Sequence, residues 1–267
     1  MRAWFVAMVV GAAGCAGAEA MTNPPPTTAS EPANALGLHP GEAMAFEVRL
    51  AGVLAGEAQL AVGDVGEING KQAIVVRSRA ATAGAAALVK KISDEAITTI
   101  DVANGHPMTL DAVVENNGKR TVATAKFDGG TAIVTYQRSG EAEKTSKMSF
   151  KDITLLDAHT AMAQLRGWRA AKGAMRTVHV IGGRRLWRIE VTFAGNETIG
   201  SALGNRRAVV FEGKSYRARP NMQIESQKPA RTFTVWLSDD ADRVPLKVSA
   251  ATELGDITMD LTEYSRP

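Results

Sequence analysis

The chain has 267 residues, a formal net charge of +3 and a single cysteine; 45% of its residues are hydrophobic and 22% charged. A lone cysteine excludes a disulfide framework within the chain. The length and apolar share together suffice for a large buried core.

The N-terminus carries a positive residue, Arg2, then the apolar run Trp4 to Val10 and a small-residue stretch, Gly11-Ala12-Ala13-Gly14. That order reads as a secretion signal over residues 1–14, because the run is far shorter than the roughly 20 residues of a membrane span. Cys15, directly after Ala-Gly, resembles the lipobox cysteine of bacterial lipoproteins, with Ala12 where a leucine is usual. The resemblance implies acylation of Cys15, attachment to a membrane through that lipid, and an exported protein of the cell envelope. Ala16 in place of Asp points to the outer membrane, facing the periplasm, by analogy with enteric sorting. The alternative is an ordinary signal cut at Ala18 or Ala20. Residues 15–38, with Asn23-Pro24-Pro25-Pro26-Thr27-Thr28, read as an extended tether, so folding starts near His39 and one β domain spans 39–267.

From Ala43 onward strand signals recur at short intervals. Phe46, Val48 and Leu50 alternate with polar residues, as do Ala58, Leu60 and Val62, and Ala51 to Gly56 reads as the loop between them. Strands are expected over 72–81, 95–101, 108–115, 120–127 and 131–138, separated by Asn69-Gly70, Asn104-Gly105, Asn117-Gly118 and Asp128-Gly129-Gly130. Ala83 to Lys91 interrupts the series as a short helix or a crossing loop. The one amphipathic helix is expected near 157–169, N-capped by Asp157, with Ala158, Ala161, Met162 and Leu165 on one face. Strands resume over 175–181, 184–193 and 206–216, and Arg217 to Ala230 is a loop.

The last 36 residues fold on paper into a three-stranded meander. Asp239 to Asp242 forms the first turn, placing Leu237 beside Val244, Val235 beside Leu246 and Phe233 beside Val248. Leu254-Gly255 forms the second, placing Ala250 beside Met259 and Val248 beside Leu261. All these residues share one face, while Thr234, Lys247, Ser249, Thr258, Asp260 and Thr262 take the other, with Trp236 against Pro245. The fold class expected is therefore mainly β: a large antiparallel curved sheet, an open barrel or sandwich, with one packed helix.

Gly41-Glu42, Phe46 to Arg49, Ala55 to Ala58, the helix from Asp157 with Leu165-Arg166, and Trp236 to Asp240 leading to Arg243-Val244-Pro245 and Leu261 to Tyr264 resemble the domain of unknown function 3108 family of bacterial envelope proteins. The resemblance implies an exported, mostly antiparallel β protein with a curved sheet, and no catalytic set. The chain departs from it at Ala83 to Val89, where similar members carry aromatics, and around Gly200 to Asn205, which reads as an extra loop.

No catalytic, metal or cofactor constellation stands out. His39, His106, His159 and His179 lack metal-ligand spacing. Asp157 and His159 read as an N-cap beside a half-exposed histidine, without the glycine-flanked serine of a hydrolase elbow. Asp239, Asp240 and Asp242 read as a solvated turn rather than a calcium loop. Charge is uneven: residues 159–231 hold fourteen Lys and Arg against four Glu. Arg184, Arg188, Arg206 and Arg207 are the candidate patch for an anionic ligand, whether anionic lipid, lipopolysaccharide or an acidic envelope protein. Nucleic acid is not an expected partner for an exported protein. Two readings follow: a binding or scaffolding module for an apolar or anionic envelope ligand, or a hydrolase of an envelope polymer using paired acids such as Glu253 and Asp256. The deciding observation is whether sheet and helix leave a void.

Overall fold

The computed structural model describes residues 36–252 and 254–267. Cys15, the signal segment and the tether to Ala35 lie outside the described residues, as does Glu253. The elements are β1 (Ala43–Leu50), β2 (Val53–Ile68), β3 (Lys71–Thr82), α1 (Gly84–Val89), β4 (Ile92–Asp101), β5 (Pro107–Asn116), β6 (Lys119–Asp128), β7 (Thr131–Arg138), β8 (Lys144–Ser149), β9 (Leu155–Leu156), α2 (Ala158–Gly167), β10 (Met175–Gly182), β11 (Arg185–Ser201), β12 (Gly204–Ala218), β13 (Arg231–Ser238), β14 (Pro245–Thr252) and β15 (Gly255–Ser265).

All fifteen strands form one sheet in the order β8-β7-β6-β5-β4-β3-β2-β1-β15-β14-β13-β12-β11-β10-β9. Every pairing is antiparallel except the short contact of β9 with β10. Neighbouring strands in space are therefore neighbours in sequence almost throughout. The one long-range closure is β1 on β15, which splices the two halves through Phe46 opposite Leu261 and Val48 opposite Met259. The sheet curls until its two ends pack together. Leu110, Ala125, Val134 and Met148 from β5 to β8 share a core with Leu155, Ile181, Leu186 and Ala218 from the far end. The Leu155 N–H donates to the Gly129 carbonyl at 3.0 Å, tying β9 to the β6–β7 turn.

Alternation explains the faces. Val235, Leu237, Leu246, Ala250 and Leu261 are buried, while Lys247 and Asp260 pair at 3.4 Å on the other side. The terminal register differs from the one expected by two residues along most of each hairpin, Val235 lying opposite Val248 and Ala250 opposite Ile257, while beyond an irregularity Leu237 lies opposite Pro245 and not Val244. A shift of two preserves the faces, because side chains alternate with period two. Trp236 accordingly faces Lys247, not Pro245, with the lysine ammonium 5.8 Å from its ring centroid.

Other boundaries also differ from expectation. The β1–β2 turn is only Ala51-Gly52, since Val53 to Gly56 belong to β2. β11 runs on through Ser201, and Gly200 to Asn205 is the tip of a long hairpin with β12 rather than a separate loop. Gly195, at φ +135 beside a register shift, lets β11 bend and continue. β8 and β9 carried no legible strand pattern.

Candidate functional site: a groove between α2 and the concave sheet

α2 sits inside the curl of the sheet, and its sequence makes two kinds of face. His159, Ala163 and Arg166 recur at helical spacing and turn toward β1 to β4, where Ala163 packs with Val62, Ile74, Val76 and Ile100. Ala161, Met162, Leu165 and the C-cap Trp168 turn the other way, toward Ile189, Val191, Phe211 and Val235 of β11 to β13.

Polar bonds hold the first face. Asp157 caps the helix reciprocally: its Oδ1 accepts from the Thr160 N–H at 2.9 Å, and its own N–H donates to Thr160 Oγ1 at 2.9 Å. The Thr98 hydroxyl donates to Asp157 Oδ2, which leaves the Thr98 oxygen to accept from His159 Nδ1 at 2.7 Å. His159 Nε2 is then the acceptor for the Ser78 hydroxyl, also at 2.7 Å. His159 is buried rather than half-exposed, only 5% accessible, because this chain of bonds draws it against β3 and β4. The Ser78, His159 and Asp157 side chains superficially suggest a nucleophile relay, yet Thr98 stands between histidine and carboxylate, and Ser78 is 1% exposed. None of these four residues reaches the groove described below.

At the other end Arg166 meets Glu42 in a bidentate pair, Nη1 to Oε1 at 2.6 Å and Nη2 to Oε2 at 2.8 Å. The same guanidinium donates to the Arg243 carbonyl at 3.0 Å and the Asp242 carbonyl at 2.9 Å. Gly37 packs so closely on the helix end that an added Cβ would stand 2.4 Å from Arg166 Cβ.

These bonds tie α2 to Ser78 of β3, Thr98 of β4, Glu42 just before β1 and the β13–β14 turn, and its opposite face does not fill the space against the sheet. A partly open groove of about 80 Å³ remains between Met162, Leu165 and Trp168 on one wall and Val178, Ile189, Phe233 and Val248 on the other. Its polar lining is confined to Gln164, Arg176 and Ser215. The Arg176 guanidinium lies 4.6 Å from the Trp168 ring centroid, and Trp168 stacks on Phe211 at 5.4 Å. Gly213 shapes the floor: a Cβ there would stand 2.1 Å from Phe233 Cζ, so the Phe233 ring lies across the glycine. A second, wider concavity of about 560 Å³ lies over β1, β2, β3 and β15, edged by Arg77, Arg79 and Glu263.

The four arginines of the sequence-derived patch are not brought together. Arg184 sits in the β10–β11 turn over Tyr136 at 5.3 Å, and Arg188 pairs with Glu190 at 2.5 Å. Arg206 and Arg207 lie near the other tip of the β11–β12 hairpin, opposite Ile199 and Thr198, and Arg207 pairs with Asp239 at 2.8 Å. Ten residues of strand separate the two pairs, roughly 33 Å. Asp239, Asp240 and Asp242 form a turn whose Asp240 Oδ1 accepts from Ser238 Oγ at 2.6 Å and from the Asp242 and Arg243 N–H groups at 3.1 Å. Among the described residues no cluster of three His, Cys, Asp or Glu could hold a metal, and no helix is long and apolar enough to cross a membrane.

The buried histidine should make the fold acid-sensitive. Burial pushes the His159 pKa below its ordinary 6.5, against the opposing pull of Asp157. Burial lowers His106 and His179 too, but both are more accessible. With folded pKa below unfolded pKa, the unfolded chain binds more protons as pH falls through 6.5, so stability is full above that value and declines below it. The urea midpoint should drop between about pH 7.5 and about pH 5.5. His159→Gln should be less stable at the higher pH and show a shallower drop; an equal drop would place the acid sensitivity elsewhere.

Residues 45–262 match the family model described as Protein of unknown function (DUF3108). No curated protein matches the chain in sequence. Among solved structures the chain is similar to a beta-barrel-like protein of domain of unknown function DUF1849 from Brucella abortus, with a TM-score of 0.53 and 10% identity over 84% of this chain and 97% of that one. That likeness is one of fold. A protein with a YmcC-like fold from Bacteroides fragilis aligns with a TM-score of 0.37 and 10% identity over 85% of this chain and 97% of that one.

Proposed function

Since the chain belongs to the DUF3108 family of proteins of unknown function, with a curved sheet wrapped around one helix, we propose that it is a binding module of the cell envelope that takes an apolar chain into the groove beside α2. The observation that carries this reading is the groove's lining: Met162, Leu165, Trp168, Ile189, Phe233 and Val248 present apolar surface to a space that remains partly open. Its size limits the ligand. About 80 Å³ exceeds the roughly 10–15 Å³ that a water needs, yet is smaller than the ~150 Å³ cavity known to hold benzene. The groove therefore suits the thin end of an acyl chain, with the rest of the ligand outside. In this reading the protein is exported, anchored through Cys15 in the outer membrane and facing the periplasm, which matches an acyl-bearing ligand.

The test is quenching, by a brominated fatty acid, of the part of the full chain's tryptophan fluorescence that Trp168→Phe removes. Wild type should be quenched saturably. Gly213→Ala should push the Phe233 ring off the floor and into the groove, reducing quenching at least about tenfold for a stability loss of about 1–3 kcal/mol. Wild type without saturable quenching would leave a scaffold with no ligand in this groove.

A further inference from the structure

Eight large apolar side chains are markedly exposed among the described residues, and five of them gather at one end of the sheet. Val53 is 68% exposed and Leu54 37% at the start of β2; Leu88 and Val89 are 90% and 86% exposed in α1; Leu254 is 58% exposed in the β14–β15 turn. Backbone bonds fix these tips side by side. The Ala83 N–H donates to the Ala55 carbonyl at 3.1 Å, joining the approach to α1 with β2, and the Ala51 N–H donates to the Asp256 carbonyl at 2.8 Å, joining the β1–β2 turn with the start of β15. Val65, Ile133 and Met175, the other three, are scattered singly over the sheet, as is ordinary for a protein surface.

α1 is the oddest of these tips. Its sequence is Gly-Ala-Ala-Ala-Leu-Val, apolar on every side, and it buries none of its residues. A six-residue helix is far below the length that is stable alone in water, and an apolar one gains from burial that this fold does not supply. Four basic residues lie around it. Lys90 and Lys91 follow α1 directly, and the Lys91 N–H donates to Asn117 Oδ1 at 2.9 Å, which brings in the β5–β6 turn with exposed Lys119 and Arg120. Among the described residues Glu57, Glu115 and Asp256 are exposed acids close by, and Glu253 adjoins Leu254 in sequence.

We propose that this end of the sheet docks on an anionic lipid bilayer, with Leu88, Val89, Val53 and Leu254 entering the interface and the lysines and Arg120 meeting the headgroups. Three separate protruding tips, each with one or two large apolar side chains, fit a deformable surface better than a flat protein face, and basic residues behind apolar ones complement anionic headgroups. The surface is distinct from the groove and does not depend on what the groove holds. The described chain begins at the opposite end, where Leu36 approaches Gly105 in the β4–β5 turn. From Cys15 to Leu36 an extended chain reaches about 70 Å, twice the roughly 33 Å of a ten-residue strand. An anchor at Cys15 and these tips can therefore engage the same bilayer.

The experiment uses the full chain with Cys15→Ala, so that each introduced cysteine is the only one. An environment-sensitive fluorophore is placed at Leu88→Cys, Val53→Cys or Met175→Cys, and vesicles of phosphatidylcholine, with or without phosphatidylglycerol, are added. Probes at 88 and 53 should brighten several-fold on phosphatidylglycerol vesicles and be quenched by brominated lipid, while the probe at 175 should not. Lys90→Glu with Lys91→Glu should weaken the apparent affinity at least about tenfold, each lysine near the surface accounting for about fivefold. Leu88→Ser with Val89→Ser should weaken vesicle binding without shifting the thermal midpoint, since neither side chain is buried. No response at 88 and 53, an equal response at 175, or equal binding to neutral vesicles would overturn the proposal. So would brightening without vesicles that rises with protein concentration, which would assign this end to self-association.

Discussion

Glu42→Ala or Arg166→Ala should each destabilise the protein by about 3–5 kcal/mol, while Glu42→Leu combined with Arg166→Met should recover a large part of that loss. Glu42 is 0% and Arg166 1% exposed, so removing one partner strands the other charge away from water. Replacing both removes the stranded charge and leaves apolar volume in its place. Recovery should be incomplete, because Arg166 also serves the carbonyls of Asp242 and Arg243, and two partly buried acceptors would lose their donor. Urea denaturation of the four chains forms the double-mutant cycle. If the double variant is as unstable as the sum of the singles, the two side chains act independently and the helix is not held by their pairing. Loss of the pair should also loosen the end of α2 that carries Trp168, so it should disturb the groove as well as stability.

What the sequence made legible follows from the range of each interaction. The N-cap Asp157, the helix after it and the buried faces of the terminal strands depend on neighbours within a few residues, and all could be read locally. Register could not. Val235 opposite Leu246 and Val235 opposite Val248 both place apolar against apolar, so period-two alternation does not choose between them. The choice is made by the turn, where Asp240 collects three donors, and by the irregularity between Trp236 and Leu237, neither of which alternation reveals. The groove's two anchors were invisible for a different reason. His159 meets Ser78 across 81 residues of sequence and Arg166 meets Glu42 across 124, so residue type alone suggested a half-exposed histidine. A weak signal existed for the second pair: Gly41-Glu42, Leu165-Arg166 and Arg243-Val244-Pro245, three separate stretches of the family resemblance, contribute Glu42, Arg166 and the Arg243 carbonyl to one cluster. β11 is longer than its alternation suggests, and that extra length sets Arg188 and Arg206 apart.

Leu246→Ala should cost about 2–5 kcal/mol, and Lys247→Ala, one position along the same strand, about 0.5 kcal/mol or less. Leu246 is 1% exposed and packs in the core that joins the two halves of the sheet, with Phe46, Val48 and Leu261. Truncating it removes several methylenes from water-excluded contact and leaves a void that strands held in ladders on both sides cannot easily close. Lys247 points to the other face, where its partners are Asp260 at 3.4 Å and the Trp236 ring, both reachable by water. The contrast is insensitive to the two-residue difference in register, because a shift of two keeps both side chains on their faces. A shift of one would exchange them. Equal losses at the two positions, measured by urea denaturation under one set of conditions, would therefore mean that β14 presents the wrong face to the core. They would also undo the inference that Val248 and Ala250, on the same face as Leu246, line the groove beside α2.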